Sequence, residues 1–264
     1  MLFRSLDLDE NKIINMIKQN PSRIEEIENP TLEMKKAAIS SNGMMIRYIK
    51  EPSVELQRLA VKSDPLSIQY IDNLDEDIAL LSVKTLWNSL KYIKNPSENI
   101  KKEAIKGKGW AIQYIEDPTE ELCLLAVSKD YDAIKYIKNP SEKVQKEAIL
   151  NYWGAIRFIK EPTIDVKRLS IIKDEEAINY IQGYSYEEMK LFIKDNINVV
   201  KYIYDSIDPE LVVDVLIEKL NNKEMTKKYM KDFLDLEILE MNKISFIREY
   251  GDKEAKKLLV DCKL

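Results

Sequence analysis

The chain has 264 residues, with 41 Lys and Arg against 46 Asp and Glu and a formal net charge of −5. That balance disfavours bulk binding to a polyanion and leaves only a local basic face for such a role. Histidine is absent, which removes the commonest general base and transition-metal ligand. Hydrophobic residues at 45%, charged residues at 33% and six glycines describe a soluble, foldable chain and exclude a disordered one.

From Met1 to Glu10 there is no charged region followed by an apolar run, so no signal peptide is expected. No apolar stretch approaches the ~18 residues of a membrane span. Cys123 and Cys262 lie far apart, which fits neither a zinc pairing nor a disulfide framework. Cys123 falls in a helical pattern as a small surface or half-buried residue. A cytoplasmic setting follows as the simplest expectation.

From Ile27 onward one column repeats every 22 residues: Ile27, Ile49, Ile71, Ile93, Ile115, Ile137, Ile159, Ile181 and Ile203. An aromatic residue precedes each of them except Ile27, which follows Glu26. A fixed period of this size predicts a stacked array.

The unit from Pro96 to Asp117 shows how one repeat is built. Pro96 cannot continue a preceding helix and pushes Asn95 away from the α region. Ser97 is a natural N-cap, and Glu98 suits the positive end of the new helix. The first helix is predicted from about Ser97 to Lys106. Its apolar marks recur as Met34, Leu56, Ile78, Ile100, Leu122, Val144 and Val166. Five residues further stand Ile39, Val61, Val83, Ile105, Val127, Ile149 and Ile171. A small-residue column lies between: Ala38, Ala60, Ser82, Ala104, Ala126, Ala148 and Ser170. It lets a neighbouring helix approach closely. A short loop, often with glycine (Gly43, Gly107, Gly109, Gly154), precedes a second helix from about Trp110 to Glu116. Ile112 and Ile115, three apart, share its buried face.

Segments 92–105 and 136–149 agree at 11 of 14 positions, which points to duplication of a 44-residue pair and to surface chemistry alternating every second repeat. After Ile203 the period fails. Pro209 to Leu220 reads as an amphipathic helix, Tyr229-Met230 and Phe246-Ile247 as drifted copies of the Tyr-Ile pair, and Asp252 to Leu264 as a final helix. The chain is therefore expected to be an all-α solenoid of about nine 22-residue helical hairpins over 1–205. Residues 206–264 form a C-terminal cap of degenerate hairpins or a separate partner-binding module.

Three surface patterns stand out. On the second helix, basic pairs recur as Arg47/Lys50, Lys91/Lys94, Lys135/Lys138 and Arg157/Lys160. Gln69/Asp72 and Gln113/Glu116 interrupt them. Residues three apart on a helix point the same way, so this ladder is a binding face or a solvated one. Trp87, Trp110, Tyr131 and Trp153 hold equivalent or adjacent loop positions in four consecutive repeats. They form a hot-spot rim, or each ring caps its own hairpin. Mixed charges on the first helix, such as Glu98 with Lys101 and Lys102, read as intrahelical pairs.

The repeat resembles HEAT-like and variant leucine-rich-type short helical repeats. More narrowly, Tyr92 to Glu98 and Tyr136 to Glu142, both YIKNPSE, are similar to repeats of uncharacterised proteins from AT-rich Gram-positive bacteria and their phages. The resemblance spans about Leu8 to Asp205. It implies a right-handed solenoid, and as a setting a phage or mobile-element protein in the host cytoplasm acting on a host factor such as a defence system. It carries over no catalytic residue.

There is no phosphate loop, nucleotide fingerprint, metal cluster or nucleophile motif. No cofactor, metal site or enzymatic role is expected. The expected function is a protein-binding platform that captures or inhibits a macromolecular partner. The alternative is a nucleic-acid binder using the basic ladder. No membrane partner is expected.

Overall fold

The computed structural model describes residues 10–222 and 224–263. The N-terminal reading over residues 1–9 lies outside them. The described residues are helical throughout their regular structure and contain no strand. The chain divides into two compact units, 1–139 and 140–264.

The first unit holds six α/3₁₀ pairs. The α-helices are α1 (Glu10–Gln19), α2 (Leu32–Ser41), α3 (Val54–Ser63), α4 (Glu76–Thr85), α5 (Glu98–Gly107) and α6 (Glu120–Lys129). Each is followed by a six-residue 3₁₀ helix: Pro21–Glu26, Gly43–Tyr48, Pro65–Tyr70, Trp87–Tyr92, Gly109–Tyr114 and Tyr131–Tyr136. Consecutive α-helices pack on one another, and so do consecutive 3₁₀ helices, giving one layer of each kind.

The expected second helix is thus a 3₁₀ helix, and the expected loop before it is a single residue. Lys108 is that residue in the type unit. Its N–H closes α5 on the Ala104 carbonyl at 3.1 Å, four residues back. It is extended (φ −156°, ψ 125°), and its own carbonyl accepts from Ala111 at 2.9 Å, three residues on. Of the glycines expected in that loop, Gly107 ends α5, Gly43 and Gly109 open 3₁₀ helices, and Gly154 is the second residue of one. At Gly43 a Cβ would lie 2.4 Å from the Ala60 carbonyl oxygen of the next repeat. The missing side chain lets the two layers close there.

N-caps form where expected. Thr31, Ser53, Ser97 and Thr119 each accept the backbone N–H three residues on. Ahead of the prolines, Glu51, Asn95, Asp117 and Asn139 take φ of 45°, 50°, 39° and 49°. Proline excludes the right-handed region for its predecessor. The reversal is made in the left-handed region, which Asn and Asp tolerate better than Glu does.

The core follows the repeat columns. Ala38, Ala60, Ser82, Ala104 and Ala126 have 0% exposure, so any larger residue there would separate adjacent helices. Ile49, Ile71, Ile93, Ile115 and Ile137 are buried, whereas Ile27, which lacks the aromatic neighbour, is half-buried. Cys123 is also buried, deeper than expected, with its thiol 3.9 Å from the Pro118 carbonyl oxygen.

The second unit begins with the same grammar: α7 (Glu142–Asn151) and 3₁₀ helix Trp153–Phe158, α8 (Ile164–Lys173) and Glu175–Tyr180, then α9 (Tyr186–Asp195). Ser185 and Glu188 form a reciprocal capping box on α9. The next 3₁₀ segment, Ile197–Val199, runs into α10 (Val200–Ile203) and a short turn, Tyr204–Ser206. The period ends here: Ile203, whose equivalents Ile159 and Ile181 turn extended, has φ −120° and ψ 4°, and Tyr204 after it stays in the right-handed helical region.

Four longer-spaced helices follow: α11 (Pro209–Asn221), α12 (Lys227–Asp235), α13 (Lys243–Tyr250) and α14 (Lys253–Lys263). α11 packs on α9, and α12 on the 197–199 segment. Val212, Val215, Leu216 and Phe233 of these helices are buried. Tyr229 and Phe246, expected as copies of the repeat aromatics, sit inside α12 and α13 and are buried. The Tyr229 hydroxyl donates to the Ile193 carbonyl at 2.8 Å, and burial pushes its pKa up.

Candidate functional site

Every candidate residue lies in a 3₁₀ helix or in the turn after it. Arg47, Lys91, Lys135 and Arg157 are the fifth residues of their 3₁₀ helices, and all are exposed. Lys50, Lys94, Lys138 and Lys160 do not share that helical face, as three-residue spacing had led us to expect. Each follows an isoleucine in extended conformation, with ψ of 111°, 116°, 119° and 114°. They stand in the inter-repeat turn, exposed, and among the described residues none has a carboxylate partner.

In the first unit this turn column reads Lys50, Asp72, Lys94, Glu116, Lys138 in consecutive repeats, all exposed. The sign alternates at every step. The helix column beside it reads Arg47, Gln69, Lys91, Gln113, Lys135. The two glutamines are folded back, with Nε2 donating to the Leu66 and Trp110 carbonyls at 2.9 Å each. Basic layers therefore alternate with mildly acidic ones, as the 44-residue duplication implied.

The aromatic rim belongs to the same face. The Trp87 ring stacks on Tyr114 of the next repeat at 6.1 Å and 24°. Trp110 meets Tyr136 of the next repeat edge-on at 6.3 Å and 69°. These rings bridge repeats and do not merely cap their own hairpins. Trp87, Trp110 and Tyr131 are all half-buried.

Trp110 is the most constrained. The Lys135 ammonium lies 4.2 Å and the Lys108 ammonium 4.9 Å from its ring centroid, each a favourable cation–π contact. Its indole N–H donates to Asp132 Oδ1 at 2.6 Å, and Lys135 donates to Oδ2 at 2.9 Å. Burial pushes the Asp132 carboxyl up, but the Lys135 ammonium and the indole outweigh it and hold it below the ordinary range. Asp130 accepts from Lys108 Nζ and from the Gly109 N–H, both at 2.7 Å.

Asp130, Asp132 and Lys108 were not singled out in the sequence. A signal existed: side chains cap the 3₁₀ helices after Asn42, Asp64, Asp174 and Asn196. No side chain caps those after Asn20, Leu86, Lys108, Asp130 and Tyr152, of which the last four open the repeats that carry the rim.

Arg47 shows the same interleaving. Its guanidinium lies 4.6 Å from the Tyr48 ring centroid and donates to the Tyr48 hydroxyl at 2.7 Å. The Tyr70 hydroxyl favours its charged form most, with burial opposing. Lys91 lies 5.6 Å from the Tyr92 centroid.

The second unit carries one copy. Trp153 lies 5.5 Å from Tyr152 and 6.2 Å from Tyr180. Arg157 lies 5.0 Å from the Tyr180 centroid and donates through Nε to the Gly154 carbonyl at 2.9 Å.

Among the described residues no three His, Cys, Asp or Glu side chains group as metal ligands, and no helix is long and apolar enough to cross a membrane. No family model, curated protein or solved structure matches the chain.

Proposed function

We propose that the chain is a non-enzymatic protein-binding platform that captures a macromolecular partner through its 3₁₀ side. The observation that carries this reading is the alternation on the first unit. Lys50, Lys94 and Lys138, without a carboxylate partner among the described residues, alternate with Asp72 and Glu116, beside half-buried Trp and Tyr rings. A phosphate polymer presents charge of one sign at every step and favours an unbroken basic track. A protein surface offers both signs and apolar area together, and aromatic and basic side chains dominate such contacts. Nucleic-acid binding is the second reading, favoured by those unpaired lysines alone.

Affinity capture from lysate of the source cell, with and without nuclease, separates the two. A dominant protein retained after nuclease supports the platform. Recovery that needs nucleic acid and falls steeply with salt overturns it. Joint substitution of Trp87, Trp110 and Trp153 by Ala weakens capture if the rim is a hot spot. Unchanged affinity with intact helicity removes the rim from the contact.

A further inference from the structure

The exposed turn column of the first unit is its own complement. It reads Lys50, Asp72, Lys94, Glu116 and Lys138, and among the described residues none of these forms an ion pair. Alternating signs largely cancel beyond a Debye length of ~10 Å, so the column has little pull on a charged body at a distance. A surface gains from it only by carrying the opposite sign at each step, at the same spacing. Packing of consecutive 3₁₀ helices on one another sets that spacing. A second copy of the chain has the same spacing and the same alternation.

We propose that this face pairs with the same face of a second copy, antiparallel about a two-fold axis, an inference that rests on the platform reading and names its partner. In a two-fold interface, if one residue meets another, the second also meets the first. A parallel two-fold pair would set Lys on Lys throughout. An antiparallel axis through a repeat would again set like on like, Lys94 on Lys94 and Lys91 on Lys91. An antiparallel axis between repeats sets opposite signs together at every step of the turn column.

Two such axes use four steps of the column, and the neighbouring turn residues choose between them. An axis between the Asp72 and Lys94 repeats places Lys50 and Glu51 against Glu116 and Asp117, three exposed carboxylates around one ammonium. An axis between the Lys94 and Glu116 repeats pairs Lys94 with Glu116 of the second copy, and Asp72 with Lys138 of the second copy. It also sets Lys91 against Gln113 and Lys135 against Gln69, so the basic helix column meets neutral amides. The aromatic surface lies at the same place. Trp87 and Tyr114 belong to the two repeats flanking this axis and stack at 6.1 Å, and Tyr92 of the same pair of repeats is 37% exposed. Aromatic residues at the centre and charged ones around them are the common plan of a protein–protein contact.

The test is sedimentation equilibrium of the purified full chain. The expected result is a dimer of the 30.9 kDa chain that dissociates more readily as salt rises. Lys94→Glu weakens it at least tenfold, and adding Glu116→Lys restores it, because the pair is then reversed but kept. Lys50→Glu, outside the chosen pairing, leaves it unchanged. A chain with Lys94→Glu and Lys138→Glu, and a chain with Asp72→Lys and Glu116→Lys, each stay monomeric alone and form a one-to-one heterodimer when mixed. All these side chains are exposed, so the variants keep the circular dichroism of the parent.

A monomer up to millimolar concentration, a dimer indifferent to Lys94→Glu, equal loss from Lys50→Glu, or reversed chains that fail to recombine overturns the proposal. Lysate capture is read separately, and there the expected retained protein is the chain itself. Capture of a different protein by a monomeric chain removes the second copy alone. Recovery that needs nucleic acid, from a chain that dimerises when pure, removes the platform reading alone.

Discussion

The two layers of each repeat treat charge in opposite ways. On the α-helical side, cations reach carboxylates of the next repeat: Lys36 to Glu55 at 3.0 Å and Lys102 to Glu121 at 2.7 Å in the first unit, Lys146 to Asp165 at 3.0 Å and Lys167 to Glu188 at 2.8 Å in the second. On the 3₁₀ side, cations lie over rings, Lys135 and Lys108 also reaching Asp132 and Asp130, or stand in the turn column with no carboxylate partner among the described residues. Several α-layer charges are thus satisfied between repeats, although Arg58, Lys62 and Lys129 have no carboxylate partner among the described residues. The 3₁₀ layer keeps unsatisfied charge beside aromatic surface, the combination a partner can use.

The largest expected break comes from reversing charge on the open side. Joint substitution of Lys91, Lys94, Lys135 and Lys138 by Glu should lower partner affinity by roughly 100-fold or more, about 3 kcal/mol, with unchanged far-ultraviolet circular dichroism. The matched reversal of Lys36 and Lys102 should leave capture unchanged and lower the denaturant midpoint only slightly, because exposed ion pairs contribute little to stability. Equal loss from both sets would erase the distinction between the layers.

Next in size is packing within the α layer. Ala104 has 0% exposure, and Ala104→Leu should destabilise by about 1–3 kcal/mol through overpacking, read as a lower denaturant midpoint. Removing the cap with Ser97→Ala should cost ~1 kcal/mol, and Ser97→Asp should restore it.

The smallest effect is local. Asp132 has its folded pKa depressed by Lys135 and Trp110 against the opposing effect of burial. Its stabilising contribution is therefore present above the ordinary carboxylate pKa of ~4 and lost as pH falls through the lower folded value. Trp110 emission should hold steady down to about pH 4 and change below it, and Asp132→Asn should remove that transition. The measurement needs Trp87 and Trp153 replaced by Phe so that one indole reports.

Much of the α layer is legible in the residues. Proline, a hydroxyl cap and the four-then-one apolar spacing place α5 within a residue of its observed bounds, and the alanine column marks the closest approach. The 3₁₀ layer is harder. Ile112 and Ile115 are three apart, a spacing that suits 3.0 residues per turn as well as 3.6, and only six residues lie between extended ones. That ambiguity led Lys50 and Lys94 to be placed on a helical face with Arg47 and Lys91, when the isoleucine between them has already left the helix. Asp132 was within reach of spacing, since Trp110 stands one 22-residue period before it and Lys135 three residues after it, but the basic and aromatic columns alone were followed and the acidic positions beside them were not.

The alternating turn column also bears on how such a gene can change length. Segments 92–105 and 136–149 are nearly the same text, so unequal recombination between them removes or adds 44 residues at a stroke. An edit of that size deletes or inserts one positive and one negative step and leaves the order of signs intact. An edit of 22 residues would set like beside like. Descendants of this chain can therefore grow or shrink in pairs of repeats while reading the same pattern, and selection on the partner would tolerate even steps and reject odd ones.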